Sequence, residues 1–219
     1  MLVEKSFLCR FLALAFSYPS EETLSELKGA LSDLEQSLRT LSIDFPVEKV
    51  EAEVDRYLGR IVDLQGEFTY LFETSMKAPP RETSYELDKA GRRSVEMADI
   101  LGFYRAFGLE VKAPYEPDSL VAELEFLSFL YQKEHFLKGE GLEVVRSARE
   151  KFLRDHIGRW YEVFTSKVKE TAEETFYPLM ADLLKAFLDR ETEGMRIQKL
   201  TDYRKETLEG SSWKCGFAD

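Results

Sequence analysis

The stretch TLSELKGALSDLEQSLRTL, residues 23–41, decides the fold class of this chain. Its leucines recur every three or four residues, at positions 24, 27, 31, 34, 38 and 41. That spacing lines them along one stripe of an α-helix, with polar and charged residues on the opposite side. The stretch therefore predicts one amphipathic helix that buries its leucine stripe against a neighbour.

Proline and glycine divide the rest of the chain into similar segments. Pro19 separates the leucine helix from an apolar first helix, Leu2 to Phe16, because the residue before a proline disfavours helix, and Ser20 can cap the helix that follows. Pro46 opens a further helix, with an expected interruption at Gly66. These signals predict that the first two helices form a helical hairpin.

Later helix boundaries follow the same logic. Two consecutive prolines, Pro79 and Pro80, predict an extended loop, and Gly108 is a suitable left-handed helix end. Asp118 or Ser119 can cap the next helix, and a bend is expected near His156. Pro178 either starts or kinks a last helix.

The overall pattern predicts an all-α protein. No stretch shows the sustained alternation of β-branched residues that is typical of strands. We expect a single compact multi-helix domain of roughly eight or more helices over residues 1–195. Residues 196–219 should form a polar C-terminal tail, with Trp213 and Phe217 as its potential anchors.

Charge and cysteine content limit the partners and the compartment. The chain has 30 basic and 41 acidic residues, a net charge of −11, which argues against nucleic acid as a partner, although the same number fits a solvated acidic surface. Its two cysteines provide no disulfide framework. Glu4, Lys5 and Arg10 interrupt the apolar N-terminal stretch, so we expect no membrane insertion and a cytoplasmic location.

Motifs for catalysis are missing from the sequence. It contains neither a glycine-rich phosphate loop ending in Lys-Ser or Lys-Thr nor a Gly-x-Gly-x-x-Gly motif. Its two histidines, His135 and His156, lack the Glu three residues earlier that a di-iron helical bundle needs. Asp155 and His156 are adjacent, and neighbouring side chains on a helix point apart, which disfavours a cooperating catalytic pair. His156 is therefore a packed histidine, part of a binding surface or, least favoured, catalytic.

Several fragments, in order, resemble the redox-enzyme maturation chaperones, the family that includes the assembly proteins of trimethylamine-oxide, dimethyl-sulfoxide and nitrate reductases. The fragments are EFTYLF at 67–72, Pro79-Pro80 and Tyr85, YRAFGL at 104–109, PDSL at 117–120, ELEFL at 123–127 and FLRDHIGRW at 152–160. Residues 12–19 are similar to the first helix of that family. Together these fragments span more than half of the chain.

The resemblance implies a cytoplasmic, all-helical chaperone that is not an enzyme and needs no cofactor and no metal. Its partner would be the twin-arginine signal peptide or N-terminal segment of a molybdenum-cofactor reductase subunit, held for cofactor insertion before export or assembly. Position by position, the peptide-binding residues implied by the family are Phe68, Leu71, Phe72, Pro80, Tyr85, Asp155 and His156.

A signal peptide supplies arginines and an apolar helix, so its receptor needs carboxylates beside an apolar groove. The candidates are Glu67, Glu82, Glu123 and Asp155; Glu123 completes the predicted peptide-binding set, although it is as well suited to facing water or bonding a loop backbone. Leu71 and Phe72 also fit a plain core, given their helical spacing.

Two other functions stay open: a metal- or nucleotide-dependent helical enzyme or switch, and a stable helical scaffold. A monomer and a domain-swapped dimer are both compatible with the sequence.

Overall fold

The structure, a computed structural model, describes residues 1–85, 92–171 and 175–201. Ten α-helices lie in these ranges, and the described residues contain no strand, which confirms the all-α prediction. The helices are α1 (Leu2–Ala15), α2 (Glu21–Gly29), α3 (Leu31–Leu41), α4 (Val47–Tyr57), α5 (Ile61–Phe68), α6 (Arg92–Ala106), α7 (Leu120–Phe136), α8 (Glu140–Asp155), α9 (Ile157–Thr171) and α10 (Phe176–Glu191). Thr69–Thr74 continues α5 as a π-helical turn, and Glu82–Tyr85 forms a short 3₁₀ helix.

The prediction of one helix over residues 23–41 is wrong, because the structure has two. Ala30, at φ −91° and ψ −1°, ends α2 and begins α3. The break follows Gly29, a residue that disfavours helix interior. The leucine stripe nevertheless stays intact, since Leu27, Leu31 and Leu34 are all buried on the two sides of the break.

A second boundary is displaced. The predicted interruption at Gly66 is wrong, since α5 continues through Gly66 to Phe68. The chain breaks earlier, at Gly59, whose φ of +78° only glycine adopts readily. Glycine within a helix costs only about 1 kcal/mol, and the burial of Leu64 and Phe68 on either side offsets that cost.

The capping predictions are confirmed. Ser20 and Thr23 form a reciprocal capping box at the start of α2, with Thr23 N donating to Ser20 Oγ at 3.1 Å. Ser119 caps α7 by accepting from Ala122 N at 3.3 Å. Gly108, at φ +71°, follows the end of α6. The expected bend occurs at His156, between α8 and α9.

The core forms around α1, which packs against α7 and also contacts α3 and α10. An aromatic cluster at its C-terminal end joins four segments through Phe72, whose ring centroid lies 5.0 Å from that of Tyr177, 5.1 Å from Phe68 and 6.1 Å from Phe164. Among the described residues, no helix combines the length and the apolar character that crossing a membrane requires.

The first residues of the predicted tail lie against α9. Leu200 N donates to the Arg159 carbonyl oxygen at 2.7 Å, and Lys199 Nζ donates to that of Gly158 at 2.9 Å. Trp213 and Phe217 fall outside the described residues. The division at residue 195 between a helical domain and a tail stays a prediction.

The close approach of this segment and α8 to Gly158 predicts the effect of adding a methyl group. In Gly158→Ala, the new Cβ would lie 2.0 Å from the Leu153 carbonyl oxygen and 3.0 Å from Ile197 Cδ1. We expect a loss of about 1–3 kcal/mol in the free energy of unfolding, measured by urea denaturation. The matched control is Gly102→Ala in α6, where no atom lies within 4 Å of the new Cβ and a gain of about 0.5–1 kcal/mol is expected. Equal stability of the two variants would contradict this assignment.

Candidate functional site

A buried polar cluster surrounds Glu82, whose side chain is wholly buried. His156 Nδ1 lies 3.1 Å from Glu82 Oε2, and Arg159 Nη1 lies 3.4 Å from Glu82 Oε1. Two carboxylates of α6 complete the cluster: Glu96 Oε1 lies 3.3 Å from Arg159 Nη1, and Asp99 Oδ2 lies 3.3 Å from His156 Nε2. These side-chain contacts link the 3₁₀ helix, α6 and the corner between α8 and α9.

Backbone pairing places Glu82 in this position. The Pro79-Pro80 loop runs beside the residues that precede α7, with Leu120 N donating to the Pro80 carbonyl oxygen at 3.0 Å and Glu82 N donating to that of Asp118 at 3.0 Å. Thr83 Oγ1 also donates to Asp118 Oδ2 at 2.6 Å. The Pro79-Pro80 pair therefore leads the chain to Glu82, and hydrogen bonds with the residues at the start of α7 hold this segment in place.

A second buried carboxylate, Glu123, lies next to the cluster on α7. Trp160 Nε1 donates to Glu123 Oε2 at 3.1 Å, while Glu123 Oε1 has no hydrogen-bond partner. Burial, reinforced by the negative charge of Glu82, raises the pKa of the Glu123 carboxyl well above its usual value. Burial also raises the pKa of Glu82, although the charges of His156 and Arg159 oppose that shift.

Glu82, Glu96 and His156 are close enough to bind one metal ion, with ligand atoms within 4.8 Å of one another. The Arg159 guanidinium, however, already lies against both carboxylates. A second cation would have to displace this buried arginine or share its carboxylates against like-charge repulsion. The geometry therefore favours an internal ion-pair network over a metal centre.

The structure divides the predicted peptide-binding residues between two places. Phe68, Leu71 and Phe72 belong to the aromatic core, none of them more than 8% exposed. Tyr85 stacks on Trp160, with centroids 5.8 Å apart, and its hydroxyl donates to the Pro79 carbonyl oxygen. Tyr85 thus lies near the polar cluster, and the rings of Trp160 and Phe164 connect it to Phe72 in the aromatic core.

Glu123 and His156 belong to the polar cluster and are wholly buried. His156 lies between the rings of Phe103 and Phe152, with centroids 5.2 and 5.0 Å away, which favours the packed-histidine alternative. Pro80 is partly buried, and the Asp155 side chain is 42% exposed and bonded to Arg154. Of the eight predicted residues, only Pro80 and Asp155 have accessible side chains. A direct role in peptide binding stays a prediction for all eight.

An open groove lies elsewhere, along α1 and α7. Its volume is about 1070 Å³, and apolar side chains of both helices line it, among them Phe7, Leu14, Val121, Phe129 and Phe136. Phe136 is 78% exposed at the end of α7. Exposed apolar surface of this kind marks sites where peptides or proteins bind.

A smaller cavity of about 400 Å³ adjoins this groove. The two share Tyr115, Glu125 and Phe129 as lining residues. Glu125 is two residues beyond Glu123 on α7, about 200° around the helix, so the groove and the polar cluster occupy opposite faces of α7. None of the eight predicted residues lines the groove.

Sequence reasoning missed the groove, although a signal was present. In α1 the residues at 3, 7, 10 and 14, and in α7 those at 121, 125, 129 and 132, form a second stripe opposite the buried one. Both helices also carry apolar residues on nearly every side, which is typical of helices that make contacts on two faces.

Comparisons with known proteins agree on one family. The model of the family described as nitrate reductase delta subunit matches residues 16–166. The perchlorate reductase assembly chaperone protein of Dechloromonas aromatica (strain RCB) is 31% identical over 143 residues, 62% of this chain and 63% of that protein. The chlorate reductase assembly chaperone protein of Ideonella dechloratans is 29% identical over 145 residues, 63% of this chain and 74% of that protein.

A solved structure supports the fold. A crystal structure of a protein from Archaeoglobus fulgidus, described as a redox enzyme maturation protein, superposes with a TM-score of 0.54 at 22% identity. The superposition covers 84% of this chain and 93% of the other. At that identity the likeness concerns the fold alone. The match to the perchlorate relative covers less than two thirds of that protein's length.

The raised pKa of Glu123 predicts how stability depends on pH. A carboxyl whose pKa is higher in the folded state than in the unfolded state favours folding while it is protonated, so its contribution is lost as the pH rises above the unfolded value, about 4.3. We expect Glu123→Gln, which keeps an acceptor for Trp160, to unfold at a higher temperature than the parent at pH 8, with the difference shrinking towards pH 4. Melting curves from pH 4 to 8 measure this. A constant difference across that range would contradict the assignment.

Proposed function

The chain belongs to the nitrate reductase delta subunit family, and from that membership we propose that it is an assembly chaperone, not a catalyst, for a molybdenum-cofactor reductase. It binds an N-terminal segment or signal peptide of the reductase catalytic subunit and keeps that segment sequestered until the cofactor has been inserted. The relatives support this role, since they are described as assembly chaperones of perchlorate and chlorate reductases.

The observation that carries the proposal is the α1–α7 groove. A volume of about 1070 Å³ is ample for several apolar side chains of a bound segment. Its lining has two carboxylates, Glu26 and Glu125, against one arginine, Arg10, and together with the net charge of −11 this favours a segment that is apolar and basic over an acidic one. An N-terminal targeting segment with arginines followed by an apolar helix has this chemistry.

The groove also suits a helical occupant. The groove offers long side chains separated by small or polar residues, among them Ala13 of α1, Ser17 just beyond that helix and Ser128 of α7. An amphipathic helix can lay its apolar face into such a surface, with anchors at positions i, i+3 or i+4, and i+7. The occupant is therefore expected to become helical when it binds.

A change at the rim of the groove tests this placement. We expect Phe136→Ser to weaken binding of an N-terminal peptide from a molybdenum-cofactor reductase subunit of the same organism about tenfold, because an apolar contact worth roughly 1.5 kcal/mol is lost. Isothermal titration calorimetry measures the affinity. The control is Val62→Ser, which removes an apolar side chain 74% exposed on α5, away from the groove. Equal losses in both variants would place the peptide elsewhere.

The surface predicted from sequence is tested separately. If Asp155 contacts the peptide, Asp155→Ala weakens binding while the melting temperature stays close to that of the parent, because the carboxylate is half exposed and its bonds to Arg154 lie at the surface. The same titration, run beside a melting curve, measures both quantities. Unchanged affinity together with a loss in Phe136→Ser would assign peptide binding to the groove alone.

A further inference from the structure

Among the charged residues that line the groove, Arg10, Glu26 and Glu125 form no ion pair with any described residue. Glu125 lines both the larger groove and the adjoining cavity, and its carboxylate makes no hydrogen bond or ion pair within the part of the chain that the structure describes. Its neighbours in the lining include the rings of Tyr115 and Phe129. The Glu125 side chain is exposed in the free protein.

The apolar surroundings already affect this carboxyl group. Burial raises the pKa of Glu125, and the positive charge of Arg10 on α1 opposes that shift. Arg10 lines the same groove but lies beyond ion-pair distance of Glu125. The cation therefore offsets the cost of the partly desolvated carboxylate without bonding to it.

A segment that covers the groove removes the remaining water from Glu125. An ionised carboxylate without a partner in a dry site is strongly unfavourable, whereas a charge-assisted hydrogen bond from lysine or arginine satisfies it. Glu26 also lines the groove and, like Glu125, is exposed in the free protein, but it lies on α2 and does not reach the adjoining cavity. Desolvation on binding therefore falls mainly on Glu125.

We propose that Glu125 determines the specificity of the groove by accepting the charged side chain of one lysine or arginine from the bound segment. This inference rests on the proposed function and adds a selection rule to it. Apolar contacts along α1 and α7 provide affinity for any segment of suitable shape. Glu125 rejects segments that place no cation at the junction of the two cavities.

A double-mutant cycle tests the pairing. The probes are the N-terminal peptide of a molybdenum-cofactor reductase subunit from the same organism and versions in which each Lys or Arg is replaced by Met in turn. With the parent protein, we expect one replacement to weaken binding about tenfold, or roughly 1.4 kcal/mol. Glu125→Gln should weaken the unmodified peptide by a similar factor and should show no further loss with that replaced peptide.

Two controls make the outcome specific. Glu51→Gln removes an exposed carboxylate of α4 that lines neither cavity and should change affinity less than twofold. Melting curves of both Gln variants should match that of the parent, because neither carboxylate has a partner within the described residues.

The results separate this inference from the proposed function. If the parent protein binds the peptide and Glu125→Gln binds every peptide as the parent does, the groove is a binding site but Glu125 does not select the cation, and the inference is wrong. Equal losses with all peptides, without coupling to one basic residue, also overturn it. If the parent protein binds none of the peptides, the proposed function itself fails.

Discussion

The burial of one carboxylate, that of Glu82, constrains much of this structure. A buried charge is tolerated only when neighbouring groups compensate it. Here the compensation comes from His156, at the α8–α9 break, and from Arg159 in the first turn of α9, and these residues in turn lie against Asp99 and Glu96 of α6. The break at His156 lets this corner present an imidazole and a guanidinium to the same carboxylate. The position of α6 and the corner between α8 and α9 therefore depend on each other.

This constraint also determines which surface stays available. α7 contributes Glu123 to the buried side, where Trp160 binds it, and Leu124 and Leu127 are wholly buried. The opposite face of α7 has no helix of the described residues packed over the groove, and it carries Glu125, Phe129 and Gln132. A helix used on both faces serves as structural core on one side and as groove lining on the other. The polar cluster thus supports the groove without taking part in its surface.

Helix ends that depend on nearby residues could be predicted from the sequence, whereas features that depend on tertiary packing could not. Ser20, Ser119 and Gly108 end or begin helices through caps that need only nearby residues, and all three predictions are confirmed. Gly66 was predicted as a break because glycine weakens a helix, but packing of Leu64 and Phe68 outweighs that preference. The resemblance implied Tyr85 and His156 as peptide-binding residues, and the need for carboxylates added Glu123, but the burial of all three could not be read from their order along the chain. Glu125 was not singled out, because its isolation is visible only when α1, α7 and the loop at Tyr115 are in place.

Affinity and selectivity in this groove have different physical origins. The apolar contacts are non-directional and depend mainly on area removed from water, so they tolerate many related segments. A single unpaired carboxylate acts through the cost of its desolvation, which depends sharply on where the segment carries its cation. Because the floor consists of two helices fixed by their buried faces, little reorganisation is needed on binding. Selection between segments then requires only one strong directional contact, while the apolar contacts can give moderate affinity. This suits a chaperone, which must later release its client.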